Sequence, residues 1–505
     1  MNSPGARTQS LFMQATAKID AELELHFWRW AVVIVLAFLA CSLIRDARNK
    51  MWLDELYTLY VARQAGPREI ARAIIEGIDG APPVYALMVH SILPVIRREE
   101  LAVRLPSTLG YCGMVLCLLS FCRRRMPGVY ALAASLTACD ASRYYATEGR
   151  GYGIVMCGAA GALLSWQAAA EGRRRMPSIA MLTICLAAIV ALHYYAIFFL
   201  GPLLVGELVR WRESGKLDFA VLAAMLPALA VLGLHYPFIE ASRKLQVHPW
   251  SPASWNQIGD FYIQHFLPFA PLVLIAAAVF AALATDRSPA SRTMPRHEWA
   301  AVIALALMPA IAVAVARFTT HVFVDRYTLW AMIGFALLSG GALCAATRRR
   351  PAVGVVILGL VLPLLALHSI RNLRGTPLLR AGEIQLEDLG KLPGGPEPIV
   401  VSDNFAYMEM AYYAGPGLRQ RLVYPVDAEL ELRDMGYDNV ALLMSALSHR
   451  TNLRITPYDS VLAAYPRFLL SAIQTEPLPR HLLAAGYRLT AIAPTVYQVE
   501  APGLH

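Results

Sequence analysis

FWRWAVVIVLAFLACSLIRDARNKMWLDE, residues 27–55, sets the terms on which the rest of the chain is read. Residues 27–44 contain a single charge, Arg29. As a helix, a run of that length rises about 27 Å, close to the roughly 30 Å hydrocarbon layer of a bilayer. No small-residue cleavage site follows, so the run reads as a retained span and not as a secretory leader. Directly after it come a basic stretch and then Trp52-Leu53-Asp54-Glu55, an acidic pair placed just beyond a membrane crossing.

Composition extends this reading to the whole chain. Of the 505 residues, 57% are hydrophobic and 16% charged, with a mean hydropathy of +0.46. Soluble domains sit nearer about 45–50% apolar and about 25% charged. The net charge of +9 would suggest nucleic acid in a soluble protein. Here, however, the basic residues form short clusters between apolar runs: Arg123–Arg125, Arg173–Arg175, Arg210 with Arg212 and Lys216, and Arg348–Arg350. That is the pattern of cytoplasmic loops, and no nucleic-acid partner is expected. The eight cysteines lie in or beside apolar runs, with no C-x-x-C pair and no Cys/His zinc spacing. They read as small buried side chains.

After a polar segment at 1–26, apolar runs fall near 27–44, 105–122, 127–140, 151–170, 178–192, 195–209, 219–238, 266–284, 298–316, 327–346 and 352–369. A shorter run at 82–96 carries Pro82, Pro83 and Pro94. Its prolines remove backbone donors and bend helices, so it is read as not crossing fully. The fold class is a polytopic α-helical membrane protein with about 11–13 spanning helices, about eleven on this parity. With the arginine clusters inside, the loops 46–80, 141–150, 239–265 and 318–326, together with everything after 370, lie outside. The membrane domain is 27–370. Residues 371–505 have ordinary polarity and read as a small α/β domain, with strands at Ile399–Val401, 421–424 and 490–499 and helices at Phe405–Tyr413 and 480–487.

The outer loops collect the unusual side chains: Asp54-Glu55, Asp79, Asp140, Arg143, Glu148, Arg150, His193-Tyr194-Tyr195, Arg243-Lys244, His248, His265, His321, and Asp325-Arg326. Ionisable groups near membrane depth are costly and tend to line functional cavities. A carboxylate can deprotonate an acceptor hydroxyl, and guanidinium and ammonium groups can hold a phosphate as charge builds on it. Each feature also has a bland explanation. Asp54-Glu55 could be a helix cap, and Arg143, Glu148 and Arg150 an ion-pair set. His193 could be a hydrogen-bonded interface histidine, the tyrosines an aromatic belt, and Arg326 a lipid anchor. His248 and His265 lack ligand spacing. Their confinement to one side favours function.

In order and position these loops resemble the polytopic GT-C glycosyltransferases that use polyprenyl-phosphate sugars, the protein O-mannosyltransferase and aminoarabinose-transferase-like group. The resemblance rests on five short motifs: Asp54-Glu55 after the first span; Asp79-Gly-Ala81-Pro82-Pro83-Val84-Tyr85; Arg104-Leu105-Pro106-Ser107; Glu148-Gly-Arg150-Gly-Tyr152; and Arg326-Tyr327. It covers about residues 27–370. It implies Asp54 as general base, with Glu55 orienting it or substituting for it. It also implies phosphate contacts from Arg150, Arg326 and either Arg243 or Lys244, and a sugar site bordered by Tyr152 and Tyr195. Asp79, Tyr85, Arg104, Glu148, His193 and Tyr327 complete the implied substrate-binding set. The implied reaction is an inverting transfer to a lipid, glycan or protein acceptor. Ala81 stands where the group often has histidine, so neither the resemblance nor the spacing assigns a divalent metal or other cofactor.

Two other readings compete. A transporter or lipid flippase would favour internal repeats and mid-membrane charges, and the sequence shows no repeat. A non-catalytic envelope-assembly protein would leave Asp54 dispensable. The alanine- and arginine-rich style points to a bacterial inner membrane, with the site facing the periplasm.

Overall fold

Among the described residues, the long apolar runs before residue 370 are helical, because in lipid a helix satisfies every backbone polar group within its own segment. The structure, a computed structural model, describes residues 4–267, 294–374, 381–392, 395–473 and 476–503. Six helices there are long and apolar enough to cross a bilayer: Phe27–Arg48, Glu99–Arg123, Tyr152–Ala170, Arg175–Leu192, Tyr194–Ser214 and Pro351–Arg371. Two bent helix pairs pass the same test only when each is taken together, as a broken span or a re-entrant loop. Phe219–Leu234 and Tyr236–Lys244 meet at 51°, and Arg296–Ala306 and Met308–Phe318 at 50°. Pro309 at the second break fits this geometry, since proline opens a helical ladder. Two expected spans are short helices, Gly128–Ala141 and Ala331–Ala346. The run at 266–284 lies almost wholly outside the described residues. The segment at 82–96 contains a helix only from Pro83 to Ile92, about 15 Å and half a bilayer. The polar segment at 1–26 forms a helix, Pro4–Leu25.

The chain divides into two units. The first comprises Met1–Ala47, Arg104–Tyr236 and Pro252–Arg374; the second, Arg48–Val103, Pro237–Ser251 and Gly375–His505. The first unit is a helical bundle around Gly128–Ala141, which is buried along almost its whole length. Small residues let its neighbours approach. A Cβ on Gly340 would meet that of Ala134 at 2.6 Å, and one on Gly354 would meet Val129 at 2.5 Å. Close small-residue contacts of this kind drive helix association where lipid removes the hydrophobic incentive.

The second unit carries a six-stranded sheet. Its strands are β1 (Ile399–Val401), β2 (Leu422–Val426), β3 (Ile455–Pro457), β4 (Arg467–Ser471), β5 (Arg488–Ala493) and β6 (Val496–Glu500), in the order β3-β2-β1-β4-β6-β5. The first four are parallel, and β6 and β5 run antiparallel at one edge. Val400, Val423, Phe468 and Leu470 build its core with Leu482 and Val499. The expected strands at 399–401 and 421–424 and the helix Asn404–Tyr413 are present. The single strand expected at 490–499 is instead part of a hairpin, turning at Pro494-Thr495 between β5 and β6. The expected helix near 480–487 spans Pro477–Ala484.

Candidate functional site

Within the first unit, two sequence motifs meet. The Arg104–Ser107 element sits inside the helix Glu99–Arg123 and packs on the segment between Tyr145 and Gly153. Ser107 Oγ accepts the Gly153 N–H at 3.1 Å and lies 3.3 Å from the Tyr145 carbonyl. Contact here is so close that a Cβ on Gly153 would fall 2.0 Å from the Ser107 carbonyl oxygen. Arg104 is 3% exposed and donates to the carbonyl of Asp46 at 2.9 Å. Thr108 Oγ1 lies 2.7 Å from an Asp46 carboxylate oxygen. Arg104 thus ties the end of the first span to the start of the next long helix. Asp46, fully buried, was not singled out in the sequence.

Beyond that junction the rings gather on His193. The chain leaves the helix Arg175–Leu192 at His193, which is extended at φ −157°, ψ 117°. The His193 ring lies 5.8 Å from Tyr152, 6.2 Å from Tyr195, 5.4 Å from Tyr327 and 6.0 Å from Trp330, centroid to centroid. Tyr195 lies 4.7 Å from Tyr327, centroid to centroid, with the rings tilted by 31°, and is held through its hydroxyl by the Val322 carbonyl at 3.0 Å. Burial, then the charges of Arg326 and Arg150, push the His193 pKa down to about 3, so the ring is neutral at physiological pH. Both arginines expected to hold an anion therefore act on one histidine.

A carboxylate anchors this edge. Asp325 faces His265 Nε2 at 3.3 Å and the Tyr145 hydroxyl at 3.5 Å, and it accepts the backbone N–H of Arg326 at 2.7 Å. Burial alone would raise its pKa. The His265 hydrogen bond, the Arg326 amide and the charges of both residues hold it below the ordinary value. Asp325 and the N–H beside it thus fix the backbone from which the Arg326 side chain leaves. The loop before it is pinned to residues 252–253, with Pro252 bridging Val322 and Ala253 N–H donating to the His321 carbonyl at 2.8 Å. Glu148 is 3% exposed. A second carboxylate–histidine pair, buried Asp140 with half-buried His368 Nδ1 at 2.8 Å, joins residues 228 positions apart.

Within the second unit, Asp54 and Glu55 open the helix Leu53–Ala62. Their environments differ. Glu55 is 1% exposed, and its carboxylate turns back to accept the Trp52 N–H at 3.1 Å, the glutamate half of a capping box. Asp54 is partly exposed. Asp79 accepts the Ala81 N–H at 2.9 Å, setting the turn into Pro82-Pro83. Tyr85 donates to the Val103 carbonyl at 2.7 Å and is 4% exposed. Asp54 and Asp79 both act on the buried Tyr57 phenol, as does Asp403. Burial first, and then these carboxylates, raise its pKa well above the ordinary value, against the Asn404 hydrogen bond. Arg243 and Lys244 end the helix Tyr236–Lys244 and are exposed, Arg243 lying 3.9 Å from Glu240. Their segment packs near Asp79, where a Cβ on Gly80 would meet Ser242 Oγ at 3.2 Å. Among the described residues, no group of three His, Cys, Asp or Glu side chains is arranged to hold a metal ion.

No protein-family profile matches the chain, and no curated protein sequence does. Solved structures do. ArnT from Cupriavidus metallidurans bound to undecaprenyl phosphate superposes with a TM-score of 0.56 at 14% identity, over 94% of this chain and 98% of that one. The same protein in the apo state gives 0.50 at 14% identity, over 93% and 97%. At such identity the likeness is one of fold, and it extends over nearly the full length of both chains. The fold is the one expected from the sequence, a polytopic helical membrane protein with a small C-terminal sheet region, and ArnT shares it.

Proposed function

We propose that the chain is a membrane glycosyltransferase that takes a sugar from a polyprenyl-phosphate carrier and delivers it to an acceptor hydroxyl on the periplasmic side of the inner membrane. The observation that carries this is the His193 cluster: Tyr152, Tyr195 and Tyr327 around a neutral histidine, in the field of Arg150 and Arg326. Supporting it, the fold is shared with a protein whose structure was solved with undecaprenyl phosphate bound.

The chemistry divides between the residues as follows. Arg150 and Arg326 neutralise the phosphate in the ground state and stabilise the charge it gains as the glycosidic bond breaks. Aromatic faces border the sugar. Asp54 takes the proton from the acceptor hydroxyl as the oxygen attacks the anomeric carbon from the opposite face, so configuration inverts and polyprenyl phosphate leaves. Glu55 holds the helix that presents Asp54, and Arg104 braces the helix junction behind Tyr152.

The test is turnover of purified protein with polyprenyl-phosphate sugars, followed as release of free polyprenyl phosphate. Release that disappears in Asp54→Asn, with the protein still folded, supports the assignment. Release from no donor, or undiminished release by the variant, removes the activity or the base respectively.

A further inference from the structure

Two ring nitrogens in the His193 cluster have no hydrogen-bond partner among the described residues. Trp330 is 1% exposed, and its indole Nε1 is buried without a hydrogen-bond partner among the described residues. His193 Nδ1 is in the same position. The two rings are 6.0 Å apart and meet edge to face at 74°. An indole N–H is a donor only, and Trp and Tyr normally satisfy their polar atom when buried. Leaving such a donor unmade is costly, and a second unpartnered ring nitrogen lies beside it, in the field of Arg326 and Arg150.

A ligand that answers both nitrogens in the field of these arginines must accept hydrogen bonds and carry negative charge. The geometry points to Trp330 and His193 as paired neutral donors that seat an oxygen of the donor's phosphate, alongside the charges of Arg150 and Arg326. This rests on the reading that the chain takes a polyprenyl-phosphate donor. Neutral donors serve here as cations would not. They add directed hydrogen bonds without further positive charge, so the phosphate is oriented yet still released after transfer.

The experiment compares binding of a polyprenyl phosphate, the matching polyprenol and inorganic phosphate to the full chain in detergent. Trp330→Phe keeps the ring and removes the N–H. It is expected to weaken polyprenyl phosphate binding roughly tenfold and to leave polyprenol binding and the unfolding temperature unchanged. His193→Phe should do the same, while His193→Asn, whose amide can replace the Nδ1 donor, should stay within about threefold of the parent. Should Trp330→Phe fail to fold, the two His193 variants decide the matter. Parental binding by both phenylalanine variants overturns the proposal. If the parent binds no polyprenyl phosphate at all, the donor reading fails separately. Inorganic phosphate then decides whether the anion seat stands: weaker binding in the variants upholds it, and equal binding removes it.

Discussion

At the scale of single residues, the acidic pair after the first span separates into two roles. Glu55 caps its own helix, and glutamine can make the same bond. Glu55→Gln should therefore keep stability and lower turnover only a few-fold. Glu55→Ala should lower stability by about 1 kcal/mol, the usual effect of losing a cap, measurable as a shift in thermal unfolding. Asp54→Asn should lower turnover about 10²- to 10⁴-fold, as loss of a general base does, with little change in unfolding. Equal effects of Asp54→Asn and Glu55→Gln would contradict this division. The resemblance already put Asp54 before Glu55 as base, but the residues alone did not show which one caps the helix, because that depends on which carboxylate turns back to Trp52. His193 makes a second residue-scale prediction. Its pKa is depressed from 6.5 to about 3 by burial and then by Arg326 and Arg150. Below pH 6.5 the unfolded chain takes up a proton that the folded chain refuses, so this stability is intact above 6.5 and is lost as pH falls. Glu431 and Glu476, raised to about 7 by burial, act in the opposite direction. The measurement is therefore the difference between the parent and His193→Asn: the variant should lose less stability than the parent between about pH 6.5 and 4.5. Asp325, whose pKa is lowered, contributes loss only below its ordinary value of 3.8 and stays outside that window.

At the scale of elements, the contact between Ser107 and Gly153 joins two of the motifs on which the resemblance rests. Gly153→Ala would set a methyl group against the Ser107 carbonyl, and the helices cannot move apart without disturbing the Ser107 hydrogen bonds to residues 145 and 153. A loss of about 1–3 kcal/mol is expected, with turnover falling because Tyr152 moves. Gly359, in the helix Pro351–Arg374 with open space where a Cβ would lie, is the control: alanine there should be neutral or slightly stabilising. Thermal unfolding of the two variants in the same detergent checks both. Most spans were legible because apolar run length and arginine clusters act locally. The proline-rich segment at 82–96 was legible for the same reason. The bends at His235 and Leu307 were not read, although Pro237 and Pro309 stand beside them: a proline marks where a helical ladder can open, and neighbours decide whether it bends there. In the sheet, β3 and β4 went unread. β3 has three residues, too few for a period, and β4, Arg467–Ser471, is buried on both faces and shows no alternation. Trp330 and the Asp140–His368 pair escaped for a different reason. A tryptophan or histidine in an apolar run looks like belt or core, and only a partner 228 positions away, or the lack of any partner, sets it apart.

At the scale of the whole molecule, the helix that carries Asp54 is fixed by residues more than three hundred positions later in the chain. Met51 N–H donates to the Tyr413 hydroxyl at 2.7 Å, and the Tyr57 hydroxyl reaches Met444 Sδ at 3.6 Å. Arg450 pairs with Glu69 at 2.9 Å and with Glu76. The segment 48–103 therefore depends on the C-terminal residues for its conformation, although the membrane spans of the first unit do not use these contacts. Arg450→Ala combined with Tyr413→Phe, in the full chain, removes one ion-pair set and two hydrogen bonds, the one from Met51 N–H and the one to Glu100 at 3.3 Å. Exposed pairs give roughly 0–1 kcal/mol each and a neutral hydrogen bond about 1 kcal/mol. The double variant should therefore fold and insert normally. Its segment 48–103 should be cut faster in limited proteolysis, because local opening and not global unfolding is what those bonds oppose. Turnover should fall with the same variant, while polyprenyl phosphate binding, assigned to Arg150, Arg326 and their neighbours in the other unit, should hold. Loss of binding together with turnover would mean that the C-terminal residues support the phosphate site as well as the helix of Asp54.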